Sequence, residues 1–280
     1  MLSYQHAYHA GNFADVHKHL VLFTVVEHLL RKTSAVTYID THAGRGLYSL
    51  ASEEASKLQE HRDGIGRLWQ ARQRLADAPL LGDWLAALAR VQPSRRLEHY
   101  PGSPWWLSQG LRAQDRLRLF ELHPGEHGHL AHQALPANVR RIHGDGLAGL
   151  LQGLPAPTPR LCVLIDPSYE RKAEYGEVVE TVLMAMRKAR HAVVLVWYPL
   201  LPAGRHQALL DGLRDGGLRK IWRSELTVAA PGDGHGMYGS GMLVVNSPWG
   251  LEGRLEGAMA SLTPLLGNAG RHQGGWWVPE

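Results

Sequence analysis

The chain of 280 residues has a single cysteine, Cys162, and no long apolar run. One cysteine cannot form an internal disulfide, and Cys162 lies in the apolar run Leu161 to Ile165, where a buried and unreactive thiol is expected. No stretch approaches the roughly 20 consecutive apolar residues that a membrane helix requires. The first residues are polar and aromatic, unlike the apolar core of a secretory signal. We therefore expect a cytoplasmic protein that does not bind a membrane.

The sequence also lacks a concentrated basic tract. Its formal net charge is +4 and its pI is about 9.3, and its 17 histidines add positive charge at mildly acidic pH. A charge of this size is compatible with a polyanionic partner, but it is also typical of a feature that only maintains solubility. Charge alone therefore leaves nucleic-acid binding open.

Short apolar and β-branched runs alternate with helical patterns along the chain. The predicted strands are Val36 to Asp40, Leu117 to Glu121, Val139 to His143, Leu161 to Asp166, Ala192 to Trp197, Ile221 to Val228 and Met242 to Asn246. The predicted helices include Val16 to Arg31, Pro104 to Arg112, His127 to Ala134 and Tyr175 to Ala189. This alternation predicts an α/β fold with a central, mostly parallel seven-stranded sheet covered on both faces.

Two features modify this simple pattern. The last two strands are joined by the Gly-rich connection Ala230 to Gly241 and could pair antiparallel at the sheet edge. Between Gly46 and Arg116 the chain is much longer than a crossover requires, and much of it is helical in pattern. We read residues 50–98 as a small inserted helical subdomain within one domain spanning residues 1–280. The crossover then resumes near Ser103, predicted as an N-cap, with Pro104 as the first helical residue.

The segment Asp40-Thr41-His42-Ala43-Gly44-Arg45-Gly46 is a strand end followed by a glycine-bearing turn. Glycines at this point of an open α/β sheet let a nucleotide-like cofactor approach the backbone. The spacing departs from the dinucleotide fingerprint, because His42 stands where its first glycine would be. A tight turn between strand and loop explains the segment equally well.

Two acidic residues follow the next predicted strands. Glu121 closes its strand, where a carboxylate can accept hydrogen bonds from both hydroxyls of a ribose. Asp145 lies between Gly144 and Gly146 and could meet the amino edge of an adenine ring. Each also has an ordinary reading, because strand ends commonly carry a solvated Glu and Asp-Gly is a common turn.

The most specific segment is Leu164-Ile165-Asp166-Pro167-Ser168-Tyr169-Glu170. An apolar strand places Asp166, Pro167 and Tyr169 at the carboxyl edge of the sheet. The exocyclic amine of adenine is a poor nucleophile, because its lone pair is delocalised into the ring. The Asp166 carboxylate and the Pro167 carbonyl could accept its two N–H groups, while Tyr169 stacks on the base, an interaction worth about 1–3 kcal/mol. The segment therefore predicts chemistry on an adenine amine.

This segment is similar to the [D/N]-P-P-[Y/F/W] motif of amino-group methyltransferases that use S-adenosylmethionine. The chain resembles the RlmJ family, the 23S ribosomal RNA adenine N6-methyltransferases, nearly from end to end. The similarity is also carried by Met1-Leu2-Ser3-Tyr4, His9-Ala10-Gly11-Asn12, Asp40-Thr41-His42-Ala43-Gly44, Tyr100-Pro101-Gly102-Ser103-Pro104, Glu121-Leu122-His123-Pro124, Trp197-Tyr198-Pro199 and Val278-Pro279-Glu280.

The resemblance implies a Rossmann-like class I methyltransferase fold and one methylated adenine in 23S ribosomal RNA, either free or in an assembly intermediate. It implies cofactor contacts at Lys18, His19, His42, Ser103, Glu121, Asp145, Gly146 and Asp166. It also makes Asp166 catalytic and places Tyr4 in a segment that closes over the site, so Tyr4 and Tyr169 are expected to contact substrate. Ser168 replaces the second Pro of the motif, but Asp166, Pro167 and Tyr169 all remain, so we expect activity to survive.

The mechanism expected from these residues is direct in-line transfer of the methyl group to N6. We expect no covalent enzyme intermediate and no metal, because the only cysteine is predicted to be buried and the N-terminal histidines lack a metal-site pattern. Phosphate contacts or capping explain His6, His9, His17 and His19 better. We also expect a monomer, and we expect the Trp105-Trp106 and Trp276-Trp277 pairs to pack in the interior.

Three other functions are compatible with parts of the sequence. A nicotinamide-dependent oxidoreductase fits the sheet and the glycine turn, but not His42. A non-catalytic RNA-binding protein would not require Asp166, Pro167 and Tyr169 together. A DNA adenine methyltransferase would carry a recognition domain between its Asp145-type and Asp166-type motifs, and here these two positions are close in the chain, which favours RNA.

Overall fold

The computed structural model describes residues 4–232, 236–267 and 269–280. Met1-Leu2-Ser3 of the resemblance and residues 233–235 of the Gly-rich connection lie outside the described residues. The strands are β1 (Val36–Asp40), β2 (Leu47–Ser49), β3 (His99–Pro101), β4 (Arg116–Glu121), β5 (Val139–His143), β6 (Arg160–Ile165), β7 (Val193–Leu200), β8 (Ile221–Thr227), β9 (Gly239–Val245) and β10 (Arg271–Val278). The α-helices are α1 (Phe13–Leu30), α2 (Glu53–Leu58), α3 (Ile65–Ala71), α4 (Leu81–Ala89), α5 (Ser103–Ser108), α6 (Pro124–Ala131), α7 (Gly146–Gln152), α8 (Glu174–Lys188), α9 (His206–Asp215) and α10 (Leu251–Leu266).

The main sheet has eight strands in the order β10-β8-β9-β7-β6-β1-β4-β5. Strands β7, β6, β1, β4 and β5 are parallel, whereas β9, β8 and β10 are joined by antiparallel pairing. The predicted α/β class and mostly parallel sheet are therefore confirmed, but the predicted number of seven strands is wrong.

The additional strand, β10, also changes the predicted position of β8 and β9 in the sheet. β8 and β9 pair antiparallel as predicted, yet neither is at the sheet edge, because β9 also pairs with β7 and β10 covers the other side of β8. β10 contains Gly274 and Gly275, and glycine is depleted in strands, so its sequence carries a weak strand signal. Its position comes from pairing with β8 along nearly its whole length.

Side chains alternate between two cores, one on each face of the sheet. Tyr38 in β1 and Leu164 in β6 lie in the core beneath α1, α5 and α10, whereas Ile39 and Val163 lie in the core beneath α8 and α9. Both faces of these strands are buried, which is why their sequences are nearly continuous apolar runs. Cys162 is buried in β6, and burial raises the pKa of its thiol to about 12, as expected for an unreactive cysteine.

The segment after β1 leads into β2, which pairs antiparallel with β3 in a separate two-stranded sheet. Helices α2, α3 and α4 lie in the chain between these two strands. This is the stretch for which residues 50–98 are predicted to form a helical subdomain, and its independence stays a prediction. Among the described residues, no helix combines the length and the apolar character that crossing a membrane requires.

Two local predictions need correction. Gly102 is the N-cap of α5 and Ser103 is its first residue, so the predicted N-cap at Ser103 is wrong by one position. Trp106 is buried and stacks on Trp84, as expected, but Trp276 is 44% exposed on the edge strand.

Candidate active site

The carboxyl ends of β1, β4, β5 and β6 meet at one edge of the sheet and border a large cavity. The chain runs from β1 to β4 and β5 on one side and to β6 and β7 on the other, so the cavity lies where the strand order reverses, the usual ligand position in open α/β sheets. Its volume of about 840 Å³ is in the upper part of the range for small-molecule sites, about 300–1,000 Å³.

The cavity lining brings together most of the residues selected from the sequence. Those that line it are Tyr4, Lys18, His19, His42, Ser103, Glu121, Asp145, Gly146, Asp166 and Pro167. Tyr4 comes from the N-terminal segment, and the others come from the first half of α1, the turn after β1, the first turn of α5 and three strand ends. This convergence follows from the parallel sheet, since parallel strands present their carboxyl ends at the same edge.

Asp166 follows β6 directly and forms a buried ion pair with α1. Its Oδ2 atom lies 2.6 Å from Lys18 Nζ, and the same ammonium group lies 2.9 Å from Oδ1 of Asp15. Burial raises the pKa of Asp166, and Lys18 acts in the opposite direction. Burial would lower the pKa of Lys18, but the two carboxylates outweigh it and raise that pKa, so the ammonium stays charged.

A hydrogen-bonded chain extends from this ion pair to the N-terminal segment. His6 Nε2 lies 2.9 Å from Oδ2 of Asp15, and His6 Nδ1 lies 2.9 Å from the Tyr4 hydroxyl. The Gly11 amide also donates to Asp15 at 2.8 Å. Burial opposes the charge of Asp15, but His6 and Lys18 outweigh it and hold the pKa of Asp15 well below its usual value. From the sequence, His6 was considered only for phosphate contacts or capping, and Asp15 was not selected.

Glu121 and Asp145 each use part of their carboxylate for the backbone. Glu121 accepts the amide of Gly44 at 2.8 Å and that of His123 at 2.7 Å, one on each oxygen, and burial raises its pKa. Asp145 is the N-cap of α7, and its Oδ1 atom accepts the amides of Leu147 and Ala148. The remaining lone pairs of both carboxylates are available at the cavity.

Two neutral histidines border the cavity. Burial lowers the pKa of His42 to about 4, and its Nδ1 atom lies 2.8 Å from the Thr41 hydroxyl. Burial lowers the pKa of His19 well below its usual value, and its Nδ1 atom lies 2.8 Å from the Tyr100 hydroxyl. His19 Nε2 is buried and has no hydrogen-bond partner among the described residues. An unpaired polar atom beside a cavity is consistent with a ligand partner.

The other N-terminal histidines are paired with protein groups. His9 Nδ1 lies 3.0 Å from Glu60, which also accepts a hydrogen bond from the side-chain amide of Asn12. The His17 ring lies between the hydroxyls of Ser224 and Ser240. These side-chain contacts were not predicted from the sequence. His6, His9, Asn12, Asp15 and Glu60 all line the cavity.

The expected position of Tyr169 is wrong. Its ring is 5% exposed, lies outside the cavity lining and stacks on Tyr175 with 4.3 Å between ring centres. Its hydroxyl donates to the carbonyl of Trp197 at 2.8 Å. Because both ring and hydroxyl are used inside the protein, this residue has no free face for a base.

Trp197 lines the cavity instead. Lys18 Nζ lies 5.9 Å from its ring centre, and its indole N–H donates to the Ser240 hydroxyl at 2.9 Å. The sequence motif Trp197-Tyr198-Pro199 was noted without a role. An aromatic residue near the end of the strand next to β6 was the signal that could have identified it.

A family model described as "Ribosomal RNA large subunit methyltransferase D, RlmJ" matches residues 33–278. This chain belongs to the RlmJ family. Ribosomal RNA large subunit methyltransferase J of Escherichia coli (strain K12) is 37% identical over 283 residues and is covered, like this chain, to 100%. Its counterpart in Haemophilus influenzae (strain ATCC 51907 / DSM 11121 / KW20 / Rd) is 36% identical over 280 residues, with 99% of this chain and 98% of the relative covered.

A solved structure agrees with this membership. The crystal structure of protein LPL1258 from Legionella pneumophila str. Philadelphia 1 is 33% identical, has a TM-score of 0.88, and covers 96% of this chain and 98% of that chain. The predicted family and the predicted methyltransferase class are thus confirmed, and the cavity described above is the active-site candidate of this RlmJ-family chain.

Gly146 lets α7 pack against the turn after β1 in this RlmJ-family chain. A Cβ atom at Gly146 would lie 1.9 Å from the Thr41 carbonyl oxygen, whereas one at Gly144 would meet nothing within 4 Å. We expect Gly146→Ala to lower the free energy of unfolding by about 1–3 kcal/mol, the usual cost of overpacking. Urea unfolding measures this cost, and Gly144→Ala is the matched control. Equal stability of the two variants would contradict the contact.

The raised pKa of the buried Asp40 carboxyl group predicts that stability depends on pH. It is buried, its Oδ2 atom has no hydrogen-bond partner among the described residues, and burial raises its pKa to about 7 although Ser103 and the His42 amide favour the charged form. The folded protein therefore binds this proton more tightly than the unfolded chain, whose Asp titrates near pH 4. Its contribution to stability is complete below about pH 4 and is lost as the pH rises to about 7.

Asp40→Asn should remove this loss, because Asn cannot ionise. Wild-type stability relative to Asp40→Asn should fall by up to about 1.4 kcal/mol per pH unit between about pH 4 and pH 7 and level off above. Urea unfolding at several pH values measures the difference, with the exposed Asp77→Asn as the control. A difference that stays constant over this range would show that Asp40 is ionised throughout.

Proposed function

We propose that this RlmJ-family protein transfers a methyl group from S-adenosylmethionine to the N6 amine of one adenine in 23S ribosomal RNA. The observation that carries the proposal is the position of Asp166 and Pro167 at the end of β6, in a cavity large enough for a nucleoside cofactor and a base. The names of the curated relatives support ribosomal RNA of the large subunit as the substrate.

The cavity lining fits S-adenosylmethionine. Glu121 has lone pairs left for ribose hydroxyls, and Asp145 Oδ2 makes no hydrogen bond to the described residues and can accept from an adenine amino group. The neutral ring of His19 can carry its proton on Nε2 when Tyr100 donates to Nδ1, which leaves a donor for the cofactor carboxylate. Lys18, His42, Ser103 and Gly146 complete the predicted contacts.

Charge complementarity supports the same cofactor. The carboxylates in the lining outnumber its ammonium and guanidinium groups, which are those of Lys18 and Arg171 among the described residues. A cavity with this excess of negative charge attracts a cation. When bound, S-adenosylmethionine supplies an electrophilic methyl group on a positively charged sulfur.

Asp166 and Pro167 orient the amine that receives the methyl group. Lys18 occupies Oδ2 of Asp166, which leaves Oδ1 to accept one N–H of the amine while the Pro167 carbonyl accepts the other. This geometry directs the nitrogen lone pair toward the methyl group, so transfer is direct and in line. In this transfer the N–C bond forms as the S–C bond breaks, which yields N6-methyladenine and S-adenosylhomocysteine. The amine proton is lost to solvent during or after transfer, and no covalent enzyme intermediate forms.

Trp197 takes the base-stacking role that the sequence predicted for Tyr169. Its half-buried ring forms part of the cavity wall close to Lys18 and therefore close to Asp166. Stacking of an adenine on this ring would contribute about 1–3 kcal/mol to holding the base out of its helix. Tyr4 lies on the N-terminal segment of the cavity and stacks on His9, from where it can close over the base.

The remaining expectations are part of this proposal. Residues 50–98 act as a subdomain that contacts the RNA beside the cavity, because Leu58, Glu60 and Asp63 already line it. The protein works as a monomer in the cytoplasm on free RNA or on an assembly intermediate. The dinucleotide alternative is disfavoured, because the turn after β1 leads into β2 and not into a helix that could receive a pyrophosphate.

The substrate can be identified with labelled cofactor. Purified protein is incubated with methyl-labelled S-adenosylmethionine and separate pools of 23S ribosomal RNA, 16S ribosomal RNA, transfer RNA and DNA, and modified nucleosides are identified by mass spectrometry. We expect N6-methyladenine in 23S ribosomal RNA alone. Label in DNA would support the alternative substrate, and binding without any label would support the non-catalytic alternative.

Asp166→Ala tests the chemistry in the same assay. We expect the rate of transfer to fall by at least about 100-fold, because Ala has no acceptor for the amine N–H, while cofactor affinity measured by calorimetry stays within a few-fold. Asp211→Ala on the surface helix α9 is the control and should keep the wild-type rate. Transfer by Asp166→Ala at a near wild-type rate would overturn the role of Asp166.

A further inference from the structure

A row of polar side chains lies on the sheet face beneath α1, between the cavity and the sheet edge. The strand registers pair Trp197 with Met242, Met242 with Ser224, and Ser224 with Gly274. Ser240 and His272 lie two residues away on their strands and so share this face, because side chains alternate between faces. Four adjacent strands therefore present Trp197, Ser240, Ser224 and His272 to the same helix.

His17 of α1 joins these side chains into one hydrogen-bonded chain. The indole N–H of Trp197 donates to Ser240 Oγ at 2.9 Å, and Ser240 Oγ lies 3.0 Å from Nδ1 of His17. On the other side of the ring, Nε2 of His17 lies 2.9 Å from Ser224 Oγ, which lies 2.8 Å from Nε2 of His272. His17, Ser224 and Ser240 have no solvent exposure.

The indole fixes the direction of the first bond in this chain. An indole nitrogen can only donate, so Ser240 accepts from Trp197, while its second lone pair and its own hydrogen allow either direction for the bond to Nδ1 of His17. In the arrangement that runs the same way along the whole chain, Ser240 donates to Nδ1, His17 carries its proton on Nε2 and donates to Ser224, and Ser224 donates to His272. Burial, with a smaller effect of His272, lowers the pKa of His17 to about 3, so the ring is neutral as this arrangement requires.

We propose that His17 and Ser240 are positioning residues that fix the orientation of the Trp197 indole in the cavity wall, and thereby the position of the target base. The proposal rests on the proposed function, because the base that Trp197 contacts is the substrate adenine. Neither residue is in the cavity lining. Their influence on the reaction passes through the indole.

The continuation of the hydrogen bonds from His17 to Trp197 distinguishes this role from ordinary packing. A network that served only to attach α1 to the sheet could end at Ser240 and Ser224, which bond both sides of the His17 ring. Here it continues to a side chain that borders the cavity. The backbone of Trp197 is held separately, since its carbonyl accepts the Tyr169 hydroxyl at 2.8 Å. Ser240 is thus the contact that determines how the ring is turned.

Two matched pairs of variants test separately the hydrogen bonds on the Trp197 side of His17 and those on its His272 side. Ser240→Ala removes the acceptor of the indole, whereas Ser224→Ala removes an equally buried hydroxyl that does not contact it. His17→Asn places an amide where Nδ1 was and keeps the bond to Ser240, whereas His17→Gln places it where Nε2 was and loses that bond. We expect the two variants of each pair to lower the free energy of unfolding by similar amounts.

The first measurement requires neither cofactor nor RNA. Indole N–H signals are recorded by NMR on protein labelled with ¹⁵N-tryptophan, and the Trp197 signal is assigned with Trp197→Phe. We expect its hydrogen exchange to accelerate at least about tenfold in Ser240→Ala and His17→Gln and to stay near wild type in Ser224→Ala and His17→Asn. Equal exchange in all four variants would overturn the proposal.

The second measurement is steady-state transfer to RNA. In Ser240→Ala and His17→Gln we expect the KM for RNA to rise about five- to tenfold, through weakened stacking, with cofactor affinity unchanged. Ser224→Ala and His17→Asn should stay within twofold of wild type. An unchanged KM despite faster indole exchange would overturn the catalytic importance of the chain. Wild-type protein that methylates no adenine would instead refute the proposed function and leave the exchange result intact.

Discussion

The buried ion pair between Lys18 and Asp166 is the interaction on which the rest of the site depends. Taking charges out of water costs several kcal/mol per ion, and removing one partner of such a pair typically costs about 3–5 kcal/mol, because the other charge stays buried and uncompensated. The charges are retained because Asp15 shares the ammonium and is itself bonded by His6 and the Gly11 amide. The position of α1 relative to β6 is therefore fixed by electrostatics as well as packing.

This fixed helix explains three consecutive polar residues that would otherwise be out of place in a buried segment. Successive residues of a helix point about 100° apart, so His17, Lys18 and His19 leave α1 in three directions. His17 is hydrogen-bonded to Ser240 of the sheet, and Lys18 forms an ion pair with Asp166. His19 is hydrogen-bonded to the Tyr100 hydroxyl beside the cavity. One helix thus connects the cavity wall at Trp197, the Asp166 carboxylate and the proposed cofactor side.

Local sequence pattern predicts those parts of the site that it determines by itself. The strands around Asp40, Glu121 and Asp166 are apolar runs that end in an acidic residue, and a parallel sheet necessarily brings such ends together. It failed for β10, because two glycines hide a strand that pairing with β8 creates. It could not identify the contact between His6 and Asp15 or the chain through Ser240, because these depend on how distant segments pack.

The same distinction applies within the motif from Asp166 to Tyr169. Asp166 and Pro167 follow the strand end, so their position is set by β6, whereas Tyr169 adopts a left-handed conformation with φ of 55°. A non-glycine residue in this region costs about 1–3 kcal/mol and persists only when its surroundings demand it. Here the ring packs on Tyr175 and the hydroxyl bonds the carbonyl of Trp197. The motif's aromatic residue therefore holds the backbone of Trp197, and the surface proposed to stack on a base belongs to the neighbouring strand.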